Sequence, residues 1–297
     1  MRKFNLKDAA VKRMKDPEKK EGKTMPETCQ NIEKKSQTSM ENEFRIVSRT
    51  DVGRVRKNNQ DALILGNGLA GVADGMGGHN GGEIASCGLR DGLLRETEGR
   101  TPDRQLLEEI VSKINLELWL QQERDAALTG MGTTLTLLWP SRTQMLIAQV
   151  GDSRAYLLRN GEMRQVTQDH SLVADMVRRG VLTEEQAACH PMRNYITRAV
   201  GTEDTIETDI FCEEREKGDR WLICSDGLYG QMNKVQLQEL ASIENEEEAA
   251  DKLLQTALDN GGKDNISFIL LTDMHDPTCN AALSEQNHAA KDEEGKA

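Results

Sequence analysis

Residues 69–75 read Leu69-Ala70-Gly71-Val72-Ala73-Asp74-Gly75, a short apolar run that ends in an aspartate and a glycine. The same arrangement returns as Trp221-Leu222-Ile223-Cys224-Ser225-Asp226-Gly227. A third aspartate, Asp264, stands just before the run Ile266-Ser267-Phe268-Ile269-Leu270-Leu271. Short apolar runs of this kind predict buried strands. A carboxylate at the end of a buried strand loses its hydration, which is unfavourable unless a positive group lies against it.

The three aspartates could share one such positive group if their strand ends converge on divalent cations. A ligand set made of carboxylate and backbone oxygens suits Mg²⁺ or Mn²⁺. The alternative is three independent turn residues, because Asp-Gly is a common turn pair. Each aspartate taken alone favours the turn, whereas the three taken together with the motifs described below favour a metal site.

The chain has 297 residues, a hydrophobic fraction of 37% and a net charge of −12 at pH 7. This length allows one large core or two modest ones. No apolar stretch approaches the roughly 18 residues of a membrane span, and the N-terminus lacks the apolar core of a secretory signal. We therefore expect a soluble cytoplasmic protein without membrane contact. The negative charge repels a nucleic-acid backbone, so we expect no nucleic-acid partner.

The composition divides the chain into three segments. Residues 1–43 are polar and charged, which predicts a disordered or weakly ordered extension. Residues 44–274 carry the apolar runs and are expected to form one domain, and residues 275–297 are expected to be a disordered tail. The extension is either a true tether or the product of a start codon placed upstream of Met40.

The domain combines strand patterns with clustered helices rather than strict alternation, which favours an α+β fold. Helices are expected over 82–95, 102–125 and 247–259, with Pro102 in the first turn of the second. Strands are expected over 44–50, 61–66, 69–73, 133–139, 144–150, 154–158, 219–225 and 265–272.

Eight short motifs follow one another through this domain. They are Asp51-Val52-Gly53-Arg54-Val55-Arg56-Lys57-Asn58-Asn59-Gln60-Asp61, Ala73-Asp74-Gly75-Met76-Gly77-Gly78-His79, Gly132-Thr133-Thr134-Leu135, Val150-Gly151-Asp152-Ser153-Arg154-Ala155-Tyr156, Gln168-Asp169-His170-Ser171, Ile196-Thr197-Arg198-Ala199-Val200-Gly201, Cys224-Ser225-Asp226-Gly227-Leu228 and Lys263-Asp264-Asn265-Ile266-Ser267. Each is weak alone, but the ordered set resembles the metal-dependent protein phosphatases of the protein phosphatase 2C group, in their bacterial form. The resemblance runs from about residue 51 to residue 272.

The resemblance implies a four-layer α/β/β/α sandwich of two mainly antiparallel sheets flanked by helices. It also implies two Mn²⁺ or Mg²⁺ ions per active site, and a third, weaker one as in bacterial relatives. The implied metal ligands are Asp74, the carbonyl of Gly75, Asp226 and Asp264, with Asp169 and Asp226 at the third ion. Two such ions can activate a water for in-line attack on a phosphoester, so no phosphoenzyme is expected.

Three further residues gain roles from the resemblance. Arg56 matches the phosphate-binding arginine, and a planar guanidinium can hold two phosphate oxygens at once. Asp61 matches a carboxylate that orients metal-bound water. His79 could act as a general acid, since imidazole titrates near neutrality, or it could be a loop histidine bonded to backbone.

The implied activity is that of a serine/threonine phosphoprotein phosphatase that acts as a monomer on phosphorylated proteins opposite a cognate Ser/Thr kinase. Gln60 is the main departure, because many relatives have Glu there, and the lost charge predicts weaker metal affinity. The main alternative is a catalytically silent phosphoprotein-binding module on the same fold. A metal-dependent nuclease is a third interpretation, which the negative charge disfavours.

Overall fold

The computed structural model describes residues 43–78 and 81–275. These residues all lie within the unit Lys34–Ala297. The expected extension and tail, 1–43 and 275–297, fall almost entirely outside the described residues. Their predicted character therefore stays a prediction.

The described strands form two antiparallel sheets. Their bounds are β1 Phe44–Asp51, β2 Asp61–Gly66, β3 Leu69–Met76, β4 Gly132–Thr133, β5 Leu135–Pro140, β6 Gln144–Val150, β7 Arg154–Arg159, β8 Glu162–Gln165, β9 Asp209–Glu214, β10 Arg220–Cys224 and β11 Ile266–Asp273. Sheet A has the order β1-β11-β10-β7-β8, and sheet B has the order β2-β3-β5-β6-β9 with β4 paired to β3.

The described helices cover the outer faces of the sheets or lie in connections. Their bounds are α1 Gly81–Thr97, α2 Arg104–Arg124, α3 Leu172–Arg178, α4 Glu184–Ala188, α5 Asp226–Tyr229, α6 Lys234–Ala241 and α7 Glu246–Asp259, with a 3-10 turn at Ala126–Leu128. Helices α1 and α2 pack on sheet B, and α6 and α7 pack on sheet A.

Three apolar cores separate these layers. Alternation along β10 shows the principle, because Trp221 and Ile223 face sheet B while Leu222 and Cys224 face the helices. Facing strands supply Val72 and Ile147 to the inter-sheet core. The two outer cores lie between α1, α2 and sheet B, and between sheet A and α6, α7. The predicted four-layer α+β sandwich is therefore confirmed.

Some elements differ from the sequence prediction. Strands β8 and β9 were not expected, because charged residues make up half of each, and the short helices α3, α4, α5 and α6 were also missed. Helix α2 begins at Arg104 rather than at Pro102. Asp103 is the N-cap, and its side chain accepts a hydrogen bond of 2.8 Å from the Leu106 amide. Pro102 precedes this cap, so its expected place in the first turn was wrong.

Candidate metal centre

Two aspartates come from neighbouring strands of sheet B. Asp61 begins β2 and lies opposite Asp74 on β3. Thr134 fixes the Asp74 backbone on both sides, because its hydroxyl accepts from the Asp74 amide at 2.9 Å and its amide donates to the Asp74 carbonyl at 2.9 Å. The Thr133 hydroxyl also donates to that carbonyl, at 3.0 Å. The carboxylates of Asp61 and Asp74 therefore start from a rigid piece of backbone.

Two further aspartates come from the corresponding ends of sheet A. Asp226 begins α5 directly after β10, and Asp264 precedes β11. The two segments are in close contact: a Cβ placed on Gly227 would lie 1.8 Å from the Asn265 carbonyl oxygen. Only glycine fits at this position, so the order Asp-Gly in the sequence reflects packing here as well as turn preference.

The four carboxylates are close enough to perturb one another. Burial raises the pKa of Asp61 to about 7. Hydrogen bonds from Ser267 and Ser225 oppose this rise, and the charges of Asp226 and Asp264 add to it more weakly. Burial and then Asp264 raise the pKa of Asp226 to about 6. Burial raises the pKa of Asp74 well above its usual range, and Asp61 and Asp226 add to it. Like charges are therefore gathered in a largely buried region.

The fit of this cluster to divalent cations follows from its donor atoms. Among the described residues, Asp61 Oδ1 and Asp226 Oδ1 are buried side-chain oxygens without a hydrogen-bond partner. Unpartnered buried carboxylate oxygens are unfavourable, and a hard cation would satisfy them. Within 43–78 and 81–275, however, no three His, Cys, Asp or Glu side chains already have the spacing of a finished metal cluster. Arg56 holds one of these carboxylates, that of Asp264, in this arrangement.

Arg56 reaches into the cluster from the loop between β1 and β2. Its Nη2 donates to Asp264 Oδ2 at 2.7 Å, and this bond is the main cause of its raised pKa. The side chain is 52% exposed, so one face of the guanidinium remains open to solvent. The predicted phosphate-binding arginine thus lies beside the predicted metal ligands.

Gly75 lies where three segments meet. A Cβ on Gly75 would be 2.2 Å from the Gly82 carbonyl oxygen and 2.4 Å from that of Gln60. The Gly75 amide donates to the Gln60 carbonyl at 3.2 Å, and the Ser86 hydroxyl donates to the same oxygen at 2.6 Å. Glycine is therefore required at this position, and Gln60 lies next to the cluster as expected.

Ser225 precedes α5, but its hydroxyl bonds to an aspartate of the cluster instead of capping the helix. Its hydroxyl donates to Asp61 Oδ2 at 2.9 Å and accepts from the Ser267 amide at 3.1 Å. A hydroxyl bonded to a carboxylate orients the carboxylate. Asp61 thus has one oxygen fixed by protein and the other oxygen unpartnered among the described residues.

Asp169 is engaged elsewhere. Arg154 donates to both of its carboxylate oxygens, at 2.7 to 3.0 Å, and the Gln165 amide donates to Oδ1 at 2.9 Å. This fork-shaped pairing satisfies the carboxylate with protein donors. The placement of Asp169 therefore gives no support to its expected role at a third ion.

Asp152 is the carboxylate that sequence reasoning missed. It is buried, and burial followed by the charges of Asp226 and Asp169 raises its pKa to about 8. Tyr229 donates to the Asp152 carbonyl at 3.0 Å, and the Gly151 amide before it donates to His170 Nδ1 at 3.1 Å. Its signal was present in the sequence, since Asp152 follows the apolar end of β6 as Asp74 follows its own run.

The comparisons with known proteins agree with this geometry. A family model described as protein phosphatase 2C matches residues 53–268. This chain belongs to that family. The serine/threonine phosphatase stp of Listeria innocua is 38% identical over 235 residues, which are 75% of this chain and 93% of that protein.

Solved structures of the protein phosphatase 2C family match the fold. The serine/threonine phosphatase PstP/Ppp of Mycobacterium tuberculosis superposes with a TM-score of 0.74 at 36% identity, covering 78% of this chain and 100% of that one. The PstP catalytic domain in complex with two manganese ions gives a TM-score of 0.73 at 34% identity, covering 78% and 99%.

The segment between Asp169 and Arg198 carries two arginines that act on the aspartates described above. Arg178 donates to the Asp169 carbonyl at 3.1 Å, and Arg193 lowers the pKa of Asp226 and so lies near the cluster. His79 lies outside the described residues, so its two predicted roles stay open. In the described ranges, no helix is long and apolar enough to cross a membrane.

Proposed function

We propose that this chain is a metal-dependent serine/threonine phosphoprotein phosphatase. The observation that carries the proposal is the convergence of buried aspartates with unpartnered oxygens beside the half-exposed guanidinium of Arg56. Anionic ligands for cations and a fork-shaped donor for a phosphate are the two requirements of phosphoester hydrolysis at a metal pair. The relatives named serine/threonine phosphatases support the same reaction class.

The proposal assigns the metal pair to Asp74, the Gly75 carbonyl, Asp226 and Asp264, with Mn²⁺ or Mg²⁺ as the ions. The PstP structure with two manganese ions supports a pair of cations in this family. For a third, weaker ion we propose Asp152 with Asp226, because their charges act on each other whereas Asp169 is paired with Arg154. Ions held by these residues would activate a water near neutral pH and would neutralise phosphoryl charge.

The protein residues have separate tasks in this proposal. Arg56 binds two phosphate oxygens and orients the phosphoester toward the carboxylates. Asp61 is held by Ser225 through Oδ2, so its Oδ1 is free to accept a proton from a water at the site. His79 as general acid remains part of the proposal.

The proposed substrates are proteins phosphorylated on serine or threonine, made by a cognate kinase. A kinase requires ATP, so the proposal includes a cytoplasmic setting, and it includes a monomer as the active form. Arg193 near Asp226 supports an anionic substrate, since a cation at the edge of the site attracts phosphate. The catalytically silent binding module is supported only by Gln60, which leaves each proposed direct ligand in place.

The test is phosphate release from a phosphothreonine peptide with Mn²⁺, with EDTA, and with Asp226→Asn. Asp251→Asn is the matched control, because Asp251 pairs with Arg49 on the surface. We expect metal-dependent release in the wild type and in Asp251→Asn, and loss of release in the other two samples. A folded wild type without release at saturating Mn²⁺ would overturn the phosphatase and favour the silent module.

A further inference from the structure

The loop that carries Arg56 runs from residue 52 to residue 60, between β1 and β2. Arg54, Val55, Arg56, Lys57 and Asn58 are all exposed, so apolar packing does little to fix this loop. A phosphate-binding arginine must nevertheless return to one position, because small misplacements of a binding group lower catalytic rates strongly. Hydrogen bonds to the rest of the protein must therefore fix the backbone position from which the Arg56 side chain extends.

The side chain of Asn265 supplies these hydrogen bonds. Its Oδ1 accepts from the Gln60 amide at 2.9 Å. Its Nδ2 donates to the Val52 carbonyl at 3.0 Å and to the Asn58 carbonyl at 2.9 Å. The two ends of the loop and the residue two positions after Arg56 are thus bonded to one carboxamide.

Only a carboxamide matches this set of partners. An amide side chain offers one acceptor oxygen and two N–H donors, and all three are used here. Aspartate has the same shape but would place an oxygen against two carbonyl oxygens. Alanine would leave the Gln60 amide and both carbonyls without these bonds, which is unfavourable for partly buried groups.

Asn265 is itself fixed by close backbone contacts. It is 6% exposed, and its carbonyl oxygen packs against Gly227. Gly53 has a φ of +78° and packs against the Asp264 carbonyl, while the Arg54 amide donates to the Gly262 carbonyl at 2.7 Å. The loop therefore lies directly on residues 262–265, which also carry the proposed metal ligand Asp264.

We propose that Asn265 is a positioning residue that holds the Arg56 loop in register with Asp264, and so sets the affinity of the site for phosphate. The inference rests on the proposed function. The Asn265 contact to Asp264 Oδ1 comes from the backbone amide, at 2.9 Å, so a side-chain replacement leaves it in place. Loss of the carboxamide should therefore act on phosphate binding and spare metal binding.

The test compares wild type, Asn265→Asp and Asn265→Ala in steady-state hydrolysis of a phosphothreonine peptide, with inhibition by inorganic phosphate. Wild-type activity comes first, because its absence would refute the proposed function rather than this inference. We expect KM and the phosphate inhibition constant to rise about tenfold. In Asn265→Ala, which adds no charge beside Asp264, the Mn²⁺ concentration for half-maximal activity should change by less than about threefold.

Asn115 provides a matched control. It is also buried, accepts from the Gly201 amide at 2.7 Å and donates to the Glu203 carbonyl at 3.0 Å, away from the Arg56 loop. Asn115→Asp should lower the melting temperature but leave KM and phosphate inhibition unchanged. Equal rises of KM in the Asn115 and Asn265 variants would overturn the inference, because they would indicate general loosening of the fold.

A double-mutant cycle isolates the route through Arg56. In an Arg56→Ala background, Asn265→Ala should have little further effect on KM, since the group that it positions is gone. An undiminished effect would contradict positioning through Arg56. If Asn265→Asp does not fold, Asn265→Ala and the cycle still decide, because alanine adds no charge beside the carbonyl groups.

Discussion

At the scale of single residues, the site contains several carboxylates close together and only a few arginine side chains that pair with them. Asp264 accepts a hydrogen bond from Arg56 and Asp169 from Arg154, whereas Asp61 accepts one from the Ser225 hydroxyl. The consequence is that the carboxylates differ in what they can bind. Asp169, which Arg154 contacts through both carboxylate oxygens, is satisfied by protein donors, whereas Asp61 and Asp226 each keep one buried oxygen without a hydrogen-bond partner among the described residues.

Arg56→Lys tests the need for a fork-shaped donor. A lysine keeps the positive charge but cannot hold two phosphate oxygens in one plane, so we expect KM for a phosphothreonine peptide to rise about tenfold. Steady-state kinetics at saturating Mn²⁺ measure this rise. Lys57→Ala is the control, since Lys57 is an exposed neighbour and should leave KM unchanged. Unaltered KM in Arg56→Lys would show that charge alone suffices.

Gln60→Glu tests the departure from the usual family residue. An added carboxylate beside the cluster should strengthen Mn²⁺ binding by roughly three- to tenfold, because each negative ligand charge favours a divalent cation. Isothermal titration calorimetry with Mn²⁺ measures the affinity directly. Weaker binding in Gln60→Glu would show that the amide is the better partner at this position.

The raised pKa values predict a pH-dependent stability of the metal-free protein. Asp226, Asp61 and Asp152 have pKa values of about 6, 7 and 8 when folded, against about 4 when unfolded. Between pH 4 and 8 the folded state therefore binds more protons, and the free energy of unfolding falls as pH rises. Below about pH 4 this loss is absent.

Urea unfolding in EDTA at pH 5 and pH 8 measures this fall. Asp61→Asn should reduce the difference between the two pH values by roughly 1–2 kcal/mol, because the amide cannot ionise. Saturating Mn²⁺ should also reduce it by compensating the ionised carboxylates. Equal stability of the metal-free wild type at both pH values would contradict the crowding described here.

At the scale of elements, the site depends on how closely strand ends and short helices approach one another. Helix α5 has only four residues, and it holds Asp226 because Gly227 lets it press against the segment before β11. Side-chain patterns cannot reveal such an approach, since it depends on backbone atoms of residues almost 40 positions apart. The Asp-Gly pair was visible in the sequence, but the reason for its glycine was not.

Gly227→Ala tests this approach. A Cβ placed 1.8 Å from the Asn265 carbonyl oxygen forces α5 away from β11, which should lower the free energy of unfolding by about 1–3 kcal/mol. Displacement of Asp226 should weaken Mn²⁺ binding as well. Gly78→Ala is the control, because a Cβ at Gly78 meets no atom within 4 Å. Urea unfolding measures the stability of both variants, and calorimetry measures their Mn²⁺ affinity. Similar results for Gly227→Ala and Gly78→Ala would contradict a close contact between α5 and the segment before β11.

At the scale of the whole molecule, the sequence predicted the layers of the fold better than the edge strands of its sheets. Long apolar runs such as 266–271 predicted the central strands, because a strand buried on both faces consists almost entirely of apolar residues. Edge strands β8 and β9 were not predicted, since charged residues such as Glu162, Arg164 and Glu214 occupy exposed positions in them. The site was predicted through its aspartates, whereas the pairing of Asp169 with Arg154 is a contact that the sequence spacing does not show.

Leu271→Ala tests whether the two sheets act as one structure. Leu271 is fully buried between them, so its truncation should lower the free energy of unfolding by about 2–5 kcal/mol. Unfolding followed by tryptophan fluorescence and by circular dichroism should give one shared transition, because Trp139 and Trp221 lie in different cores. Two separate transitions would show that the sheets unfold independently.

The pairing of β1 with β11 has a consequence for the newly made chain. In the described sheet, β1 bonds to β11 alone, and Phe44 lies opposite Asp273. A ribosome makes β1 first and β11 last, so β1 waits without its neighbour until almost the whole domain has been translated. Asp264 and Asn265 emerge at the same late moment. The nascent protein therefore stays inactive until the ribosome has passed residue 273.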